Sequence, residues 1–179
     1  MTPRVGSCCR WSSRPTWPRG YPHAPRSARG GGDERVLAAV HESAHAVVGV
    51  LVGYCVLSAS VQWADETLRR GVRAETRLGG RWREQPPWAS LAVDLAGPLA
   101  EARYAQQDLL AVLNKGAEDE GSDLRQAQRE AARLASEGLY QSADHALLVA
   151  EGHARRLLVM HWDFVLRAAR RLVVQGRID

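Results

Sequence analysis

Apolar positions change period along the chain, and each change marks an element. Val36, Leu37, Val40, Ala44, Val47, Val48, Leu51 and Val52 recur at three- and four-residue intervals and stop near Gly53. This predicts a mostly buried helix over 33–53. Asp33 follows the chain-breaking Gly30-Gly31-Gly32 where an N-cap belongs, and Glu34 falls in the first turn, where the helix dipole favours an acid. Residues 55–61 and 72–78 then alternate and are rich in β-formers, which predicts two short strands paired with each other. Gly79-Gly80 and Pro86-Pro87 bracket a loop. The second half returns to helical spacing: 88–107, with Leu91, Leu95, Leu99 and Ala102 on one face, then 122–137, 142–160 and 162–174, the last two joined or bent near His161. The expected fold is mainly α, a helical domain with a small β element inserted after its first helix.

Composition adds exclusions. At 45% hydrophobic and 25% charged residues the chain is ordinary for a globular protein, so collagen-like, coiled-coil and wholly disordered readings fall away. Three cysteines, two of them adjacent (Cys8, Cys9 and Cys55), build no disulfide framework and fit a reducing, cytoplasmic setting. The longest mostly apolar stretch, 46–57, is about twelve residues against the roughly 20 of a membrane-spanning helix, so no membrane span is expected. The net charge of +4 suggests nucleic acid. Residues 1–32, however, hold six arginines and no acid, which leaves 33–179 slightly acidic. Those first 32 residues also carry five of the eight prolines and no apolar period, and they read as a disordered leader preceding one domain, 33–179. Nucleic acid is not expected as a partner of that domain.

The segment His41-Glu42-Ser43-Ala44-His45 carries chemistry. Four residues apart on a helix, His41 and His45 share a face and can present two imidazoles to one metal ion. Glu42 lies about 100° round the helix, placed to act as general base toward water that the ion activates. The helix was inferred from the apolar period, independently of the histidines. A catalytic zinc needs a third protein ligand. Six residues after His45 stands Leu51; four after Glu66 stands Arg70; four after Glu101 stands Ala105. The acids that remain are Glu118, Asp119, Glu120 and Asp123, and Asp123 also suits the N-cap of the helix at 122–137, with Gln126 completing a capping box. His145, His153 and His161 recur every eight residues, a spacing that drifts by about 80° each time, so they share no face and read as surface or packing residues. Trp88 and Trp162 read as packing anchors.

HESAHAVVG at 41–49 resembles the HEAGHA-type zinc motif of the FtsH family of ATP-dependent zinc proteases. The similarity continues through Arg70-Gly71, LAVDLAGPLAEA at 91–102, which is similar to the family's GGRAAEE helix, Gly116-Ala117 with Ser122-Asp123-Leu124, and a closing Gly-Arg-Ile-Asp, and it covers about 35–179. The resemblance implies a helical zinc-metallopeptidase domain with His41, His45 and Asp123 as zinc ligands and Glu42 as general base. It also places Glu101 behind the ligands. A longer loop before Asp123 makes Asp119 or Glu120 alternative third ligands, and Ala44 replaces the motif's glycine. The single lysine, Lys115, follows Asn114 and not a glycine, so no phosphate loop is present, and neither the family's ATPase domain nor its membrane anchor is expected. The implied activity is hydrolysis of peptide bonds in unfolded or flexible polypeptides. Such substrates would add as an extended strand along 72–78, with an AAA-type ATPase supplied in trans and a homo-oligomer, hexameric by resemblance. A zinc-binding protein-interaction module without turnover is the alternative.

Overall fold

The computed structural model describes residues 31–65, 70–109, 112 and 122–179. Among these, five helices and three strands follow in the order α1 (Gly31–Val52), β1 (Tyr54–Asp65), β2 (Arg70–Arg81), α2 (Ala89–Ala105), α3 (Asp123–Ser136), α4 (Ala143–Met160), α5 (Trp162–Gln175) and β3 (Arg177–Ile178). The chain is mainly helical with a small antiparallel sheet, as its periodicity predicts. The leader through residue 30, with Cys8 and Cys9, lies outside the described residues, as do Gly116, Ala117, Glu118, Asp119 and Glu120.

Helix α1 is the centre of the molecule and packs against α2, α5, β1 and β2. Val40, Ala44, Val48 and Val52 form a four-residue row along it, and none is more than 1% exposed. The facing stripe of α2, with Leu91, Ala92, Leu95, Ala96, Leu99 and Ala100, is buried in the same core, together with Ala127 and Ala131 of α3 and Val165, Ala169 and Leu172 of α5. So many alanines let helix axes approach closely, because the distance between packed helices is set by the side chains between them. The helix starts two residues before the predicted cap, so Asp33 lies inside α1. The 19 residues Glu34–Val52 are long and apolar enough to cross a membrane by length and composition, although half of that stretch is buried inside the fold. The apolar window at 46–57 understated the helix because it counted His41, Glu42 and His45 as breaks.

Gly53, at φ +110°, ends α1, and the Arg83 side chain donates to the Leu51 carbonyl left open there. The strands are longer than predicted. β1 and β2 pair from Tyr54↔Arg81 to Asp65↔Arg70, with irregular register between Tyr54 and Ser58, and Gly79-Gly80 belong to β2 and not to a loop. Chain position alone does not foretell β3: Arg177 and Ile178 pair with Ser60 and Ala59, giving the order β2-β1-β3. Gly176 (φ +75°) makes this possible by closing α5 in a left-handed turn, and its carbonyl accepts from Val61 N at 2.8 Å. A break at His161 separates α4 from α5.

Leu172 has no exposed surface, whereas Leu148 is 69% exposed. Leu172→Ala should lower stability by about 2–5 kcal/mol, and Leu148→Ala should stay within about 0.5 kcal/mol. Urea unfolding midpoints at unchanged slope measure both.

Candidate metal centre

Four residues apart on α1, His41 and His45 stand with ring centroids 4.8 Å apart and planes at 68°. Each ring is held by α2. His45 Nδ1 donates to the Val93 carbonyl at 2.7 Å, so in the neutral ring Nε2 is the nitrogen with a lone pair to offer an ion. His41 Nδ1 lies 3.4 Å from Glu101 Oε2. Both Nε2 atoms point to Asp123 Oδ2, at 2.8 Å from His41 and 3.2 Å from His45. Two imidazole nitrogens and a carboxylate oxygen therefore converge within 4.8 Å of one another, in range to hold one metal ion. Imidazole nitrogens and a carboxylate oxygen are donors that suit a divalent metal ion.

Asp123 reaches this point because of how α3 begins. The N-cap is Ser122, whose hydroxyl accepts from Arg125 N at 3.4 Å, and not Asp123 as the capping-box pattern suggests. Asp123 is the first helical residue, and it heads the row that continues through the buried Ala127 and Ala131. The face that packs α3 into the core thus delivers its carboxylate to α1. Glu101, placed behind the ligands by resemblance alone, does contact His41. Glu42 is 7% exposed, and its main-chain carbonyl accepts from Thr76 Oγ1 at 2.9 Å. Thr76, an ordinary edge position by its sequence, thus ties β2 to the motif helix. His153 stacks on Trp88 at 3.9 Å, His145 meets Tyr140 and His161 meets Phe164, so the three later histidines lie apart from the centre. Trp88 and Trp162 pack against the core.

The charges explain one another. Burial works against a proton on His41. Hydrogen bonds to Asp123 and Glu101, with the charges of Asp123 and Glu42, outweigh it and push the pKa up to about 10. Both ring nitrogens face carboxylates, which only accept, so the doubly protonated ring is favoured. Burial would raise Asp123, but hydrogen bonds from His41 and His45 hold it well below the usual carboxylate range. Asp94, on α2 beside Val93, is pushed up to about 7: burial is the largest cause, with Asp123 and Glu130 adding to it and His45 opposing.

Three neighbours of the centre carry no sequence expectation: the Val93 carbonyl, Asp94 and Gly97. A Cβ built on Gly97 would stand 2.4 Å from His45 Nε2 and 2.5 Å from His41 Nε2. Gly97-Pro98, two poor helix formers side by side in a predicted helix, was the available signal.

No family model, curated protein or solved structure gives a match to this chain.

Two expectations follow from the charges. At neutral pH a metal ion must displace the His41 proton, so apparent zinc affinity should rise about tenfold per pH unit below pH 10. Zinc titrations at pH 6.5, 7.5 and 8.5 measure that slope. Asp94 has a folded pKa raised above its ordinary value of 3.8, so it favours folding fully only below 3.8, and this is lost as pH rises through about 7. In chelator-stripped protein, Asp94→Asn should raise the thermal midpoint by a few degrees at pH 8 and hardly at all at pH 4.

Proposed function

We propose that this chain is a zinc-dependent metalloendopeptidase that hydrolyses peptide bonds of unfolded or flexible polypeptides, similar to the proteolytic domain of the FtsH family. The observation that carries the reading is the convergence of His41 Nε2, His45 Nε2 and Asp123 Oδ2 within 4.8 Å, with the Glu42 carboxylate one residue from the first ligand. His41, His45 and Asp123 would hold the ion. Zinc, when bound, supplies a Lewis acid that polarises a scissile carbonyl and lowers the pKa of water. Glu42 takes the proton on its carboxylate as the nucleophile forms and returns it to the leaving amine. Glu101 and the Val93 carbonyl hold the two imidazoles at Nδ1, which fixes the nitrogens that face the ion.

The outer position of β2 in the order β2-β1-β3 supports docking of an extended substrate by strand addition, since main-chain hydrogen bonds are indifferent to sequence. The Thr76–Glu42 hydrogen bond would bring such a strand alongside the motif helix. With no phosphate loop in the sequence, the reading extends to loosely folded substrates or to an AAA-type ATPase acting in trans, in a cytoplasmic setting, with a hexameric assembly by resemblance. A second reading, a zinc-holding interaction module without turnover, draws on the burial of Glu42, which is 7% exposed.

Hydrolysis of a fluorogenic unfolded protein by zinc-loaded wild type and Glu42→Gln, without ATP, decides between them. Turnover should fall at least 100-fold in the variant, with one zinc per chain retained in both. Silence in both proteins with zinc still bound would favour the interaction module.

A further inference from the structure

Val93, Gly97 and Glu101 follow one another at four-residue intervals and so share a face of α2. The two outer members hold the imidazoles: the Val93 carbonyl accepts from His45 Nδ1 at 2.7 Å, and Glu101 Oε2 lies 3.4 Å from His41 Nδ1. Gly97, between them, faces the other side of both rings. A Cβ there would stand 2.4 Å from His45 Nε2, 2.5 Å from His41 Nε2 and 2.6 Å from His41 Cδ2, far inside the roughly 3.5–4.0 Å at which non-bonded atoms are comfortable. The rings have little room to retreat, because each is held at Nδ1 by the same helix and rooted on α1.

No positive φ asks for glycine at this position, although a glycine does ease the contact of Pro98 with the residue before it. Gly97 lies inside α2 and is absent from the residues with positive φ, and alanine is the better helix former by about 1 kcal/mol. Pro98 follows directly, so α2 carries two poor helix formers in the turn against the imidazoles.

We infer that Gly97 is a positioning residue of the metal centre: its missing side chain leaves the space in which His41 and His45 present Nε2 to an ion, and any Cβ at 97 displaces the rings or excludes the ion. The inference rests on the metal-binding reading proposed above.

The test is zinc uptake, read as stoichiometry and dissociation constant, with the visible absorption of the cobalt-loaded protein reporting ligand geometry. Gly152, on α4, is the matched control, since a Cβ there meets nothing within 4 Å. Gly97→Ala should weaken zinc binding at least tenfold and alter or abolish the cobalt bands, while Gly152→Ala binds like wild type. Equal zinc affinity in Gly97→Ala and wild type overturns the inference and leaves the metal centre standing. A wild type that takes up no zinc overturns both. Should Gly97→Ala fold poorly, the same substitution in a His41→Ala/His45→Ala background decides by thermal midpoint. There most of the loss should be relieved, and an undiminished loss would place the clash at Pro98 and the helix backbone and not at the imidazoles.

Discussion

Two imidazoles four residues apart on one helix can converge on a point, and here the facing helix grips each ring and leaves the space between them empty. α2 does this with one stripe, Val93 and Glu101 at the Nδ1 atoms and Gly97 against the Nε2 atoms. That stripe works only at short range, and the alanines of the shared core provide the range. Ala39 and Ala44 on α1, with Ala92, Ala96 and Ala100 on α2, are all fully buried. Larger residues there would bury more apolar area per position but would hold the helices apart. Burial on the other helices follows the same small-residue pattern, through Ala127 and Ala131 on α3 and Ala146, Ala150 and Ala154 on α4.

The price of this packing is a concentration of charge in a poorly hydrated place. His41 faces Asp123 and Glu101 and feels the charge of Glu42, while Asp94 is driven toward its neutral form close by. Buried charges persist only when paired, and here the His41 ring is set against several carboxylates. A bound dication would relieve that imbalance, since it adds positive charge where the carboxylates meet.

The helices were legible in the sequence because their large apolar residues recur at helical spacing, 40, 44, 48 and 52 on α1 and 91, 95 and 99 on α2, although α2 is buried nearly all round. The His41–His45 pair was legible for the same reason, since four residues on a helix is a fixed geometry. Other features were ambiguous locally. Asp123 followed by Gln126 three residues later fits a capping box, yet Ser122 caps and Asp123 turns inward, a choice made by the packing of Ala127 and Ala131 and not by the capping pattern. Glu101 has the sequence environment of a solvated helix acid, and the approach of α1 sets it beside His41. The two residues of β3 have no period of their own to read; they become a strand because α5 delivers them beside β1.

By itself the sequence determined which residues become helices and the pairing of 41 with 45, because both depend on interactions within a turn or two of chain. The tertiary structure alone decided that Asp123, 78 residues beyond His45, meets the two imidazoles, that Glu101 and the Val93 carbonyl stand at their Nδ1 atoms, and that a Cβ at 97 would crowd both rings. Those outcomes depend on which surfaces meet. The distance between two surfaces is set by the packed volume of many side chains at once, a quantity that no single stretch of sequence contains.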